Sequence, residues 1–349
     1  MAERVVIDGS YGEGGGQIIR TRLSLAALTG REVEVRNVRA RRSKPGLQPQ
    51  HLTAVRAAAS ICAASLENAE VGSTRFVFKP EAPVSPGSYR FDIGTAGAAS
   101  LVAQTVLVPL AHQAEPSRVT ITGGTHVPHS PSVDYLESVY LPFLKKAGLG
   151  AGAAYSRAGF FPKGGGQVEL TIEGSVLARP LDLTERGKLV NLTATILTSS
   201  LPDHVAERGA ATIEKYMRGV GRTINIAARQ VPALDAGAAV CISAECENGF
   251  AGFVGLGERG KPMEKVAEQP CQEFMAWWKS GAAVDEHLAD QLVLPMALAP
   301  GASRWSTPVV TDHLRTVLWL VEKFLAIRAD IDETVGKPAT ILLHGAPTR

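Results

Sequence analysis

Apolar residues recur along this chain with two alternating periods. "RVVID", residues 4–8, reads as a strand, and "REVEVRNV", residues 31–38, shows the period-two alternation of a half-buried one. Between them "QIIRTRLSLAALTG" sets Ile18, Leu23, Leu25 and Leu28 at helical positions and stops at Gly30. "PQHLTAVRAAASICAASLENA" predicts a second helix over 49–69. The order then recurs: strand "SYRFDIG", helix "AGAASLVAQTVLVPLAHQA", strand "SRVTITGG", helix "SVDYLESVYLPFLKKAG", strand "GGGQVELTIEG". Such alternation predicts related α/β units packed side by side. The glycine runs "GEGGGQIIR" and "PKGGGQVEL" give modest support for a repeat.

From about residue 184 the texture changes. "KLVNLTATILTSS" reads as a strand, "PDHVAERGAATIEKYM" as a helix, "AAVCISAECENG" and "FAGFVGLGERG" as a hairpin-like pair, and "KPMEKVAEQPCQEFMAWWKSG" as a closing helix. The pattern predicts a smaller α/β domain at 184–280, inserted into a larger one made of 1–183 and 281–349. After it, "HLADQLVLPMALA" and "TDHLRTVLWLVEKFLAI" return to helices and "PATILLHG" supplies a last strand.

Composition narrows the class. At 349 residues and 45% apolar content the chain can bury real cores. No stretch approaches the ~20 uninterrupted apolar residues of a spanning helix, and the charged start does not read as a signal peptide. No membrane partner is expected. Cys62, Cys241, Cys246 and Cys271 are spaced for neither a zinc site nor a disulfide framework, which favours a reducing compartment: the cytoplasm, or the nucleus in a eukaryote. A net charge of +2 gives no global polyanion signature, so attraction to nucleic acid must come from local clusters.

One such cluster is "RNVRARRSKPGLQPQHL", residues 36–52. Arg36, Arg39, Arg41, Arg42 and Lys44 crowd a Pro-Gly turn, and Gln50 and His51 then open a helix. A planar guanidinium beside a helix start suits phosphate oxygens, whereas a solvated basic edge strand gives the same composition. The basic turn running into polar donors tips the reading toward anion binding. The opening glycine run matches neither dinucleotide nor P-loop fingerprint, and on pattern alone it reads as a structural turn. Glu13, a carboxylate among glycines, would suit a hard cation such as Mg²⁺. In the late helix Leu314, Val317, Leu318, Val321, Phe324 and Leu325 form one stripe, with His313 at its edge near the helix start. A helix N-terminus disfavours imidazolium, leaving a neutral histidine that is structural, a nucleophile or a ligand. Gln104 and the Asp290–Gln291 pair are polar residues inside apolar helices and need hydrogen bonds from a ligand or a buried network.

Together, "GEGGGQIIR", "RRSKPGLQPQHLTAV", "GTAGAASLVAQTVL", "GFFPKGGGQVEL", "HVAER" and "DQLVLPMALA" resemble the RNA 3′-terminal phosphate cyclase family, in order and nearly end to end. The resemblance implies an α/β (α+β) fold, a large domain of three repeated βαβαββ-like units with the smaller domain inserted. It implies that ATP adenylates a histidine, that AMP passes to an RNA 3′-phosphate, and that the 2′-OH closes a 2′,3′-cyclic phosphate. The nucleophile's position is matched by His313. Glu13 would hold Mg²⁺ or Mn²⁺, and Gln17, Arg20, Arg42, Gln50 and His51 would line the site for the RNA phosphate. Gln104, Pro131 and the run His287, Leu288, Ala289, Asp290 and Gln291 would receive ATP. The partner is RNA ending in a 3′-phosphate, and a homodimer is compatible with the pattern.

Two positions depart from the family. His287 stands where tyrosine is common, which implies a smaller platform under adenine, and Val317 stands where some relatives carry asparagine. Two other functions compete. A cyclase-like factor in RNA processing or ribosome maturation is expected to lack the adenylated histidine, and His313 argues against it. An enolpyruvyl transferase shares repeated α/β units but neither this insertion nor a histidine nucleophile.

Overall fold

The computed structural model describes residues 4–12, 15–175, 177–220 and 223–345. The first sheet takes β1 (Val5–Asp8), β2 (Val33–Arg36), β3 (Ser65–Glu67) and β4 (Phe76–Lys79), with α1 (Gly16–Thr29) between β1 and β2 and α2 (Pro49–Ile61) between β2 and β3. α1 ends where Gly30 turns left-handed, at φ 66°. The second sheet takes β5 (Ser88–Asp92), β6 (Ser117–Gly123), β7 (Ala151–Arg157) and β8 (Gly166–Ile172). α3 (Ala99–Ala111) precedes β6; α4 (Val133–Tyr135), a π-helical turn (Leu136–Tyr140) and α5 (Leu141–Lys146) follow it.

β9 (Asp182–Leu183) waits for partners from much later in the chain. A separate sheet comes first: β10 (Leu189–Ser199), α6 (Asp203–Met217), β11 (Asn225–Gln230), β12 (Gly237–Cys246), β13 (Phe250–Leu256) and α7 (Met263–Ser280). Then α8 (Glu286–Gln291), α9 (Val293–Ala297), β14 (Ala302–Thr307), α10 (Asp312–Phe324), β15 (Arg328–Asp332) and β16 (Ala339–His344) complete the sheet that β9 began.

Among the described residues, three of the four sheets share one pairing pattern. In each, the first and second strands run parallel, the second pairs antiparallel with the fourth, and the fourth with the third: β1-β2-β4-β3, β5-β6-β8-β7 and β9-β14-β16-β15. The sheet of 189–256 differs, with β10 central between β11 and β12 and β13 at its edge. A parallel pair needs a crossover connection, so each of the three begins with a helix between its first two strands: α1, α3, and α8 with α9. α1 packs on α2, α3 and α10, and this helical layer belongs to the larger core. α6 and α7 cover the fourth sheet over its own core, which holds Ile213, Phe274 and Trp277.

Several elements differ from the sequence reading. The second helix stops at Ile61, because Ala63 turns to φ 46° and Ser65–Glu67 pairs with β4. β2 is not half-buried: Val33, Glu34 and Val35 are all buried. Arg36 and Arg75 hold the Glu34 carboxylate at 2.7 and 2.6 Å, which makes that burial tolerable. β7, "AGAAYSR", and β11, "NIAARQ", carry little apolar alternation and form because neighbouring strands offer them partners. Among the described residues no helix is long and apolar enough to cross a membrane.

Candidate active site

Residues from all three similarly paired sheets' helices meet at the N-terminal end of α10. Thr311 caps that helix, its hydroxyl accepting from Leu314 N–H at 3.1 Å, and the buried stripe Leu314, Val317, Leu318, Val321 and Phe324 fixes its rotation. The sequence-predicted stripe forms in this way, apart from Leu325, which lies just past the helix. This rotation sets His313 toward α1 and α8.

There the imidazole meets a relay. The Asp290 carboxylate accepts from Gln17 Nε2 at 2.8 Å. An ionised carboxylate has no proton to give, so it orients the amide and leaves Gln17 Oε1 facing His313 Nδ1, with which it forms a short hydrogen bond. A carbonyl oxygen can only accept, so Nδ1 carries the proton and the lone pair resides on Nε2. Asp290 Oδ2 lies 4.0 Å from Nδ1, close enough to favour positive charge developing on the ring.

Burial sets the charge states here. The His313 pKa is lowered, first by burial and then by Arg20 and Arg42, against the opposing pull of Asp290. The neutral histidine expected at a helix start is present, with burial as the principal cause. Burial pushes the Asp290 carboxyl up to about 6 despite His313 and Gln17. It also lowers Arg20 to about 10, leaving that guanidinium charged at neutral pH.

Beside the relay lies a cavity of about 50 Å³, lined by Gln17, Arg20, Gln104, Tyr140, Asp290 and Gln291 among others. It has room for one or two waters and not for a nucleoside, so a nucleotide at these residues lies over its mouth or widens it. Gln104 and Gln291, each the sixth residue of its helix, close one side: Gln104 Nε2 donates to Gln291 Oε1 at 2.7 Å, and Gln291 Nε2 to His287 O at 3.1 Å. Tyr140 went unnoticed in the sequence, although a hydroxyl in the apolar run "SVYLPFL" was a signal of the same kind as Gln104.

The remaining candidates are placed differently. His51 is buried, and its Nδ1 accepts from the Gln48 N–H at 3.1 Å, completing a capping box. Burial, then Arg20 and Arg39, lowers its pKa to about 3. Gly16 makes this packing feasible, since a Cβ there would lie 2.5 Å from His51 Nε2 and 3.0 Å from Arg20 Nη1. Gln50 reaches the start of α3, its Oε1 accepting from Ala98 N–H at 2.9 Å. Arg42 is exposed on the basic turn, near enough to act on His313. His287 is exposed, Leu288 and Ala289 are sealed in the core, and Pro131 is half-buried before α4. None of these seven lines the cavity. Glu13 falls outside the described residues. Its neighbour Gly12, at φ 57°, has no room for a side chain against Thr316 Oγ1 of α10, and Tyr11 stacks on Trp319 at 4.0 Å. Tyr11 and Gly12 therefore pack directly on the helix that carries His313.

Among the described residues no group of three or more His, Cys, Asp and Glu side chains could hold a metal ion. Mg²⁺ bound mainly by substrate phosphates needs only one or two carboxylates, so this donor set is compatible with a cation that arrives with a nucleotide.

The family model and the similar curated proteins agree with one another. The family model described as RNA 3′-terminal phosphate cyclase matches residues 11–331. A protein of that name from Methylococcus capsulatus is 45% identical over 98% of this chain and 96% of its own. Those from Trichormus variabilis and Pyrobaculum neutrophilum are 44% and 42% identical, covering 91% and 94% of this chain and 93% and 95% of theirs. Among solved structures, the enolpyruvyl transferase NikO from Streptomyces tendae covers 99% of this chain and 49% of its own, at 11% identity and a TM-score of 0.38. That likeness carries no weight. A model match along most of the sequence and relatives this similar over almost their whole length mean that the chain belongs to the RNA 3′-terminal phosphate cyclase family.

Proposed function

We propose that this protein converts an RNA 3′-terminal phosphate to a 2′,3′-cyclic phosphate, using ATP and a covalent His313–AMP intermediate. The observation that carries the reading is the relay Asp290–Gln17–His313, which orients the imidazole with its proton on Nδ1, while burial keeps it neutral.

In the first step His313 Nε2 attacks the α-phosphorus of ATP, an N–P bond forms, and the bond to pyrophosphate breaks. The ring gains positive charge as it does so. Gln17 Oε1 holds the Nδ1 proton, and Asp290 lies 4.0 Å away to stabilise that charge. An RNA 3′-phosphate oxygen then attacks the same phosphorus, releasing His313 and leaving AMP joined to the RNA end through an anhydride. Finally the vicinal 2′-OH attacks the 3′-phosphorus, its proton is lost to solvent, and AMP departs.

Gln104, Asp290 and Gln291 would meet the nucleotide, with Pro131 and His287 at the margin. Arg20 at the cavity and Arg42 on the exposed turn would oppose phosphate charge, while His51 and Gln50 would hold the surrounding helices. Glu13 would contribute a carboxylate to Mg²⁺ or Mn²⁺ held mainly by phosphates, a Lewis acid for the displaced oxygens. Residues 184–280 would form an inserted domain.

The test gives the protein ATP labelled at the α-phosphate with Mg²⁺ or Mn²⁺, then an RNA bearing a 3′-phosphate. Acid-labile, base-stable protein labelling, followed by a cyclised RNA end, is expected. An unlabelled protein that still binds RNA would point to a non-catalytic processing factor.

A further inference from the structure

Two buried carboxylates tie the 189–256 sheet to the segments assigned above to ATP. The first is Asp134 of α4. Its Oδ2 accepts from His126 Nε2 at 2.6 Å; its Oδ1 accepts from the Tyr155 hydroxyl at 2.9 Å and, through a short bond, from Arg229 Nη2 of β11. Arg229 also donates to the Tyr155 hydroxyl at 3.0 Å, its guanidinium 5.5 Å from the ring centre. The second is Asp285, which caps α8 by accepting from His287 N–H and Leu288 N–H, each at 2.8 Å. Asp285 Oδ2 also accepts from Gly252 N–H of β13 at 3.0 Å and from the Tyr135 hydroxyl at 3.1 Å.

Asp134 and Tyr135 are neighbours, so the two networks are joined through one turn of backbone. That turn follows Pro131, and the helix capped by Asp285 carries Asp290 and Gln291. The approach is close on both sides, for a Cβ on Gly252 would lie 2.7 Å from the Tyr135 ring.

We infer that the 189–256 sheet acts as a brace for the nucleotide site, with Arg229 as a positioning residue that sets the Pro131 segment and the start of α8 through Asp134, Tyr135 and Asp285. This rests on the proposed function for the identity of the nucleotide. Arg229 touches none of the reacting groups. Its role is to keep the receiving surface in one arrangement, a contribution to binding and not to the bond-making step. The mechanism is electrostatic as well as steric: without Arg229, the buried Asp134 carboxylate keeps, among the described residues, only His126 and Tyr155 as side-chain donors and must shift toward them or toward water.

Arg229 suits a test because its side chain is 43% exposed, so truncation opens no buried hole. Self-adenylation is followed against ATP concentration for the full-length protein, Arg229→Ala and Arg229→Lys, with ATP affinity measured by calorimetry on the same samples. Arg229→Ala is expected to raise the ATP concentration for half-maximal labelling by about tenfold. The limiting rate should stay within about twofold, and Arg229→Lys should recover much of the loss. Unchanged half-saturation and affinity in Arg229→Ala would overturn the inference, as would a lower limiting rate at unchanged half-saturation. If the unaltered protein binds ATP without becoming labelled, the adenylation reading fails, and the calorimetric difference still decides the role of Arg229. If it does not bind ATP, both fall.

Discussion

Two histidines stand at the same place in two similarly paired sheets, each near the start of the helix that follows the second strand. His51 is the third residue of α2, and His313 the second of α10. Both are held neutral, and there the likeness ends. Gln48 N–H donates to His51 Nδ1, so the proton sits on Nε2, which packs against Gly16. His313 has the opposite tautomer, with Nδ1 donating to Gln17 Oε1 and a side chain 41% exposed. One histidine is consumed in holding a helix start. The other is oriented to present a nucleophilic nitrogen, and the hydrogen-bond partner at Nδ1 makes the difference.

The sharpest way to break this comparison is to remove each ring in turn. His313→Ala should abolish ATP-dependent labelling, a loss of at least about 1,000-fold, with little change in thermal stability. His51→Ala should remain labelled but melt earlier, losing about 1–3 kcal/mol with its capping box and its packing beside Gly16. Labelling of His313→Ala at the normal rate would mean that the two histidines had been assigned the wrong way round.

Next in size is the relay. Gln17→Ala removes the acceptor at Nδ1, and the rate of self-adenylation at saturating ATP should fall by about 10- to 100-fold. Stopped or quenched single-turnover labelling reads this directly. A change confined to ATP affinity would assign Gln17 to phosphate, as the resemblance alone implied.

The relay also has a pH signature. With its carboxyl raised to about 6, Asp290 is ionised above that pH and protonated below it. Self-adenylation should decline as pH drops through about 6, because a protonated Asp290 no longer fixes the Gln17 amide or favours charge on His313. Stability should move the other way. The folded state holds this proton more tightly than the unfolded chain, so Asp290 gives stability as pH falls from about 7 toward 4, up to about 3 kcal/mol. Asp290→Asn should flatten both trends, measurable by single-turnover rates and chemical denaturation across pH. The smallest effect on the first step belongs to Arg42→Ala, which should slow self-adenylation by only a few-fold while impairing use of an RNA 3′-phosphate end about tenfold or more. Equal losses in both steps would place Arg42 on ATP.

What the sequence revealed of this site was its local part. The stripe of α10, the stop of α1 at Gly30 and the position of His313 at a helix start follow from periodicity and capping within one element. The polar residues Gln104, Asp290 and Gln291 stood out because they interrupt apolar helices. The relay itself could not be read that way: Gln17 is 273 residues from Asp290 and 296 from His313, and nothing local marks its amide as their link. Arg229 and Asp285 were hidden for the same reason, the first in a strand too polar to register as one. His51 shows the converse limit of local reading. A polar residue opening a helix after a basic turn suggests phosphate, yet its Nδ1 is occupied in accepting from the N–H at the start of its own helix.

The most direct test of the account identifies the labelled atom. The protein is adenylated with ATP, digested under conditions that preserve phosphoramidates, and the modified peptide sequenced by mass spectrometry, with the substituted ring nitrogen assigned by NMR. AMP on Nε2 of His313 is the predicted result. AMP on its Nδ1, on His51 or on a lysine would contradict the tautomer and the relay from which the mechanism is built.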